Sequence, residues 1–129
     1  MTKESYLFSD VTELIIGSAM KVHNTLGYGF PEVIYHRALS IELQKTNLQV
    51  RSEIEITVQY EGQIIGKRRV DLLVNEQVLV ELKALSVFDP SDNNQVLNYL
   101  TAFNLPVGLL LNFGKKRLEF KRFINNNSN

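Results

Sequence analysis

The sequence predicts a single α/β domain, a mixed central sheet flanked by helices in the order α-α-β-β-β-α-β-β. Three observations predict it. Apolar residues recur at helical spacing up to about Lys45, and the period changes to two from Ile54 onward. A continuous apolar run, Val107 to Phe113, reads as a strand covered on both faces. At 129 residues the chain is long enough to bury one real core.

Each element has its own signal. Ser9-Asp10 offers an N-cap to a helix carrying Val11, Leu14, Ile15, Ala19, Val22 and Leu26, which Gly27-Tyr28-Gly29 ends. Pro31 fits the first turn of a second helix, where its missing N–H costs nothing. Ile34, Ala38, Leu39, Ile41 and Leu43 carry that helix to about Lys45. Ile54, Ile56 and Val58 then alternate with polar residues, and Glu61-Gly62 makes a turn. Strands follow from about Ile64 to Val74 and from about Val78 to Ala84, separated by Asn75-Glu76-Gln77. Asp89-Pro90-Ser91-Asp92 starts a helix over about Asn93 to Phe103, and Leu118 to Ile124 alternates as a last, edge-like strand. The domain is expected over residues 1–124, with the NNNSN stretch, 125–129, as a disordered tail.

Composition excludes several chemistries. The chain has no cysteine, which removes disulfides, zinc-thiolate sites and thiol nucleophiles. No G-x-x-x-x-G-K-[ST] loop is present and no Ser, His and Asp arrangement points to acyl transfer. MTKESYLFSD lacks the apolar core of a signal peptide, and no apolar run approaches the ~20 residues of a membrane span, so a cytoplasmic protein without a membrane partner is expected. Net charge is zero, which counts against indiscriminate binding to nucleic acid. The basic residues cluster nonetheless, as Lys67, Arg68 and Arg69 and as Lys115, Lys116, Arg117, Lys121 and Arg122. They are candidate phosphate contacts; the alternative is two solvated loop ends.

The stretch VDLLVNEQVLVELKAL, residues 70–85, carries Asp71, Glu81 and Lys83 inside a dense aliphatic run. Charges are rarely placed in buried strands unless they are paired, hold a metal or do chemistry. Alternation puts Val70, Leu72 and Val74 on one face with Val78, Val80 and Leu82, and Asp71, Glu81 and Lys83 on the other. A three-residue loop, 75–77, pairs Val74 with Val78 and Asp71 with Glu81, whereas a two-residue loop would mix charged and aliphatic side chains on one face. Two adjacent carboxylates repel, so one takes up a proton unless a cation lies between them. Hard oxygen donors suit Mg²⁺, or Mn²⁺ in its place, and Lys83 would orient a water or stabilise charge on a phosphate. The structural alternative is a cross-strand ion pair of Lys83 or Arg69 with Asp71 or Glu81. Glu119-Phe120-Lys121 repeats the acid-x-Lys form without an upstream acid, because position 109 is Leu. Two carboxylates would also serve a glycosidase, but Lys83 and the element order argue against that.

Asp, then Glu-x-Lys one strand later, then a helix resembles the core of the PD-(D/E)xK nuclease superfamily. Gly29-Phe30-Pro31-Glu32-Val33-Ile34-Tyr35 also resembles the pattern that names its GxxExxY family. The pieces Val22-His23, Tyr60-Glu61-Gly62, Asp71-Leu72-Leu73-Val74, Val80-Glu81-Leu82-Lys83-Ala84 and Gly108 through Gly114 look like that family in order and spacing, over roughly residues 10 to 124. The residue before Asp71 is Val70 where the superfamily's name has Pro.

The resemblance implies a restriction-endonuclease-like core. It implies Asp71, Glu81, Glu32 and the Leu82 carbonyl as metal ligands and Lys83 as the catalytic lysine. It implies Gln95 and Tyr99 as the Q-x-x-x-Y pair of the RecB-like branch, supporting lysine, metal or phosphate. Other readings stand beside these: Glu32 as an acid favoured by a helix start, Gln95 and Tyr99 as a polar rim, Tyr35 as a core residue with a bonded hydroxyl, and His23 as a core-edge residue.

The expectation is a Mg²⁺-dependent nuclease acting on nucleic acid, DNA more than RNA. The rival is a non-catalytic nucleic-acid- or protein-binding module that keeps the fold. A homodimer through Val107 to Phe113 and the edge after it is a further expectation.

Overall fold

The computed structural model describes residues 8–125. These form α1 (Ser9–Leu26), α2 (Glu32–Leu43), β1 (Val50–Tyr60), β2 (Gln63–Val74), β3 (Val78–Lys83), α3 (Pro90–Ala102), β4 (Val107–Asn112) and β5 (Glu119–Ile124). One five-stranded sheet runs in the order β1-β2-β3-β4-β5, with β3 and β4 parallel and every other pair antiparallel. The α/β class and the element order are those expected, and the arrangement is that of a restriction-endonuclease-like fold.

Two cores sandwich the sheet. On one side Ile15, Ala19 and Val22 of α1 and Tyr35, Leu39 and Leu43 of α2 pack on Leu72, Val74, Val80, Leu82, Leu109 and Leu111. On the other, Val96, Tyr99 and Leu100 of α3 pack on Val70, Leu73, Leu79 and Leu110. All six residues of β4 are buried, as its unbroken apolar run requires. That placement removes it as an interface. Val107 to Asn112 lie between β3 and β5, and their apolar side chains are already used inside the two cores.

Helix boundaries differ from expectation where capping decides them. Ser9-Asp10 is not a side-chain cap, because helical structure already begins at Ser9, with Phe8 in the cap position at a φ of +55°. Pro31 is the N-cap of α2, one residue before the first turn, and α2 ends at Leu43. α3 starts at Pro90 because Asp89 and Asp92 form a reciprocal capping box, each side chain accepting from the other's end of the turn. At the far end of the domain, the Asn125 amide donates to the carbonyls of Leu100 and Leu105, so the core's edge extends one residue past β5. The rest of the expected tail, and residues 1–7, lie outside the described residues.

The hairpin of β2 and β3 has the register that the hydrophobic pattern selects: Val74 opposite Val78 and Leu72 opposite Val80. One face assignment changes. Val70 belongs to the α3-side core rather than to the face of Leu72 and Val74. The cause sits on the neighbouring strand. Glu53 has a φ of +53°, and the β1–β2 ladder pairs Ser52 with Leu72 and Ile54 with Val70 while skipping Glu53 and Asp71. A left-handed residue breaks the pleat there, so alternation does not carry through Asp71 to Val70.

Candidate active site

The charged residues of the hairpin gather at the open end of β2 and β3, where the first turns of α2 and α3 also arrive. Asp71 is fixed by its backbone neighbour: Oδ2 accepts from the Leu82 N–H at 2.8 Å. This links the point where β2 loses its pairing with β1 to β3, and continuing the hairpin register sets Asp71 across from Glu81. Glu81 is 5% exposed, and its Oε1 is buried with no hydrogen-bond partner. Burial first, then the Asp71 carboxylate with its charge and a side-chain hydrogen bond, pushes the Glu81 carboxyl up to about 9. Lys83 opposes that rise only in part. The proton expected on one of two crowded carboxylates therefore belongs on Glu81.

Glu32 enters from the first residue of α2. Its carboxyl is raised above the ordinary range, by partial burial first and the Asp71 charge second, with Lys83 and His36 pulling it down. The loop before it explains the local sequence. Gly29 has a φ of +111°, and the Tyr35 hydroxyl donates to the Gly27 carbonyl at 2.7 Å and accepts from the Phe30 N–H at 3.2 Å. Tyr35 is wholly buried and stacked on Phe113, with ring centroids 4.7 Å apart. Glycine permits the bend, tyrosine clamps it, and Glu32 is delivered toward Asp71. Tyr35 is thus the core residue with a bonded hydroxyl that was expected.

Lys83 ends β3 and pairs with Asp92 of α3, Nζ to Oδ1 at 3.9 Å. The other Asp92 oxygen accepts from the Asp89 N–H, so the capping box that starts α3 also anchors the lysine's partner. Asp92 was missed from the sequence, although its place in a D-P-S-D helix start marked it as a cap. The expected α3 residues are adjacent to one another: Gln95 Nε2 donates to Tyr99 Oη at 3.1 Å. The Tyr99 ring packs against Phe103 in the α3-side core. Of the α3 side chains, it is Asp92 that ion-pairs with Lys83.

The chain leaving Lys83 is held by a residue that no sequence motif marks. Asn112 stands opposite Lys83 in the parallel ladder and is completely buried. Its Oδ1 accepts from the N–H groups of Leu85 and Gly114, and its Nδ2 donates to the Leu85 carbonyl and to Glu119. Glu119 also pairs with Lys115 at 3.3 Å. The second acid-x-Lys copy is therefore structural, and Lys121 of that copy stands over the Phe88 ring.

The basic residues do not form one surface. Lys67, Arg68 and Arg69 are exposed on β2, where Lys67 pairs with Glu55 and Arg69 with Glu53. Lys115 and Lys116 lie in the loop after β4, and the Lys115 carbonyl bonds His23 Nε2 at 2.7 Å. His23 is buried there as a core-edge residue. Arg69 alone among these basic residues lines the cleft of about 270 Å³ that also holds Glu32 and Asp71. A larger cavity, about 490 Å³, lies between the β1–β2 hairpin and the end of α3, lined by residues such as Ile56, Leu73 and Phe103, and none of the proposed catalytic groups lines it.

Among the described residues, no three of His, Cys, Asp and Glu close on one point as a ready-made metal cluster. No helix among them is long and apolar enough to cross a membrane.

A family model described as the PD-(D/E)XK nuclease superfamily matches residues 9–123. A solved structure titled "Crystal structure of SSO0001" is similar in fold, with a TM-score of 0.57 and 20% identity. The similarity covers 95% of this chain and 62% of that one, so this chain spans less than two thirds of its length. No curated protein matches the chain.

Proposed function

The chain belongs to the PD-(D/E)XK nuclease superfamily, and from that premise we propose that it is a metal-dependent nuclease that hydrolyses phosphodiester bonds, with DNA preferred to RNA. The observation that carries this reading is the Glu81 carboxyl, buried beside Asp71 with one oxygen unpartnered. A buried polar atom without a partner is costly unless something satisfies it. The donor set fits a hard divalent cation such as Mg²⁺ or Mn²⁺: Asp71 and Glu81 side by side, Glu32 across the cleft and the carbonyl of Leu82, the residue between Glu81 and Lys83 in β3. When bound, such an ion neutralises the crowded carboxylates and polarises a phosphate oxygen.

The chain's own groups do the rest. Lys83 carries an ammonium one step beyond Glu81, where it orients the attacking water or donates to the phosphate oxygen that gains charge. Asp92 holds that ammonium from the α3 side. The Gln95–Tyr99 pair supports the phosphate from one turn further along the same helix. The Gly29, Glu32 and Tyr35 pattern supports placement in the GxxExxY branch.

Cleavage of labelled single-stranded, duplex and branched DNA and RNA with Mg²⁺, Mn²⁺ or EDTA tests the reading. Metal-dependent cleavage should be lost in Lys83→Ala and Glu81→Ala, each shown to be folded. No cleavage by wild type, or equal cleavage by all three proteins, would replace the nuclease with the non-catalytic binding module.

A further inference from the structure

The cleft beside Asp71 contains three groups that hydrolysis does not use. They are His36, Glu53 and Arg69. Glu53 stands between the other two: Oε1 is 3.8 Å from His36 Nδ1 and Oε2 is 3.8 Å from Arg69 Nη1. The acid directly across the ladder from Arg69 is Glu55, yet Glu55 pairs with Lys67, and Arg69 turns to Glu53. Glu53 reaches this position through a left-handed backbone at the point where β1 loses its pairing with Asp71. An ordinary surface ion pair requires no such strain, and strain of this kind concentrates at functional sites.

We propose that this cleft is a phosphate subsite for the nucleotide flanking the cleavage point, and that Glu53 occupies it as a displaceable anion. The inference rests on the nuclease reading for the identity of its ligand. A phosphodiester offers two non-bridging oxygens, matching the two carboxylate oxygens that Arg69 and His36 now face. Both contacts are long, and the side chains of Glu53 and Arg69 are 53% and 67% exposed, so the resident pair is weak and screened by solvent. A substrate phosphate takes over Arg69 and His36 while Glu53 swings into water. The device also answers an electrostatic problem. The acidic groups lining the cleft, Glu32 and Asp71, repel an approaching backbone, and a cation held in reserve beside them admits a strand aligned with the cleft.

The test is binding of fluorescent single-stranded and duplex DNA, read by anisotropy in EDTA so that no cleavage occurs. Glu53→Gln should tighten binding on the order of 3- to 5-fold, the range that an exposed ion pair supports. Arg69→Ala should weaken it and lower the salt slope by about one. In the double variant the gain from Glu53→Gln should vanish, because the two residues act on one phosphate. Glu42→Gln is the charge-matched control: Glu42 also bridges two cations, Lys21 and Lys45, but near the opposite end of α2. A gain that persists without Arg69, an equal gain from Glu42→Gln, or no binding by any of these proteins would overturn the proposal. Failure of the nuclease reading is separate and appears in the cleavage assay. Lys83-dependent cleavage with no Glu53 effect would retire the subsite alone, and the Glu53 pattern without cleavage would retire the nuclease alone.

Discussion

Replacing Glu81 with glutamine removes an ionisable group at nearly constant shape, and it should make the metal-free fold more stable at neutral pH. Glu81 is raised from 4.5 to about 9 in the fold, chiefly by burial and then by Asp71. The unfolded chain releases this proton near 4.5, whereas the folded chain keeps it until about 9. Glu81 therefore contributes no penalty below 4.5, and its penalty grows as pH rises through the window between those two values. The slope is about 1.4 kcal/mol per pH unit, or roughly 3 kcal/mol between about pH 5.5 and about pH 7.5. For a domain of this size the unfolding entropy is about 0.27 kcal/mol/K, so wild type should lose roughly 5 °C in Tm per pH unit. Glu32 is shifted in the same direction and adds to the slope in both proteins, so the comparison isolates Glu81. Thermal and urea unfolding in EDTA at several pH values would measure it. Glu81→Gln should gain on wild type by about 2–3 kcal/mol across that window. Millimolar Mg²⁺ should restore wild type at the upper pH and do little at the lower, where protons compete for the same oxygens. Parallel stability curves for the two proteins would refute the buried, proton-holding carboxyl, and with it the observation on which the metal site rests.

Three further outcomes follow from the contacts around the site. Asn112→Ala leaves the half-buried Leu85 and Gly114 N–H groups and the Leu85 carbonyl without their partner, and urea unfolding should show a loss of about 2–4 kcal/mol. Gly114→Ala should fail to fold or melt much earlier, because a Cβ there would lie 2.4 Å from the Leu85 backbone. Tyr35→Phe keeps the stacked ring and loses both hydroxyl contacts. It should cost about 1–2 kcal/mol and speed hydrogen exchange at the Phe30 amide, seen by NMR.

Much of the site was legible because β structure converts spacing into sides. Residue spacing alone, from Val74 and Val78 across a three-residue loop, placed Asp71 near Glu81, and the crowding of the two implied a held proton. Asp92 was not legible as a partner of Lys83. A helix-capping acid carries the same sequence signal whether or not a lysine from another element stops beside it. Glu53 was less visible still, since nothing in RSEIEI marks a left-handed residue. Val70 was misplaced for the same reason: alternation assumes an unbroken pleat, and Glu53 breaks it. Asn112 drew no reading of its own inside the run Val107 to Phe113, and only its four hydrogen bonds give it a role.

The sequence by itself determined the α/β class, the element order, the hairpin register and the three charges of β2 and β3, because burial periodicity and turn length are local properties. Tertiary structure alone decided which helix residues meet those charges. Glu32 and Asp92 come from two helices that start on opposite sides of the sheet and converge at the end of the hairpin. It also decided that one orphaned oxygen of Glu81 is sealed from water. Desolvation and long-range approach depend on packing between distant segments, and no short window of sequence contains them.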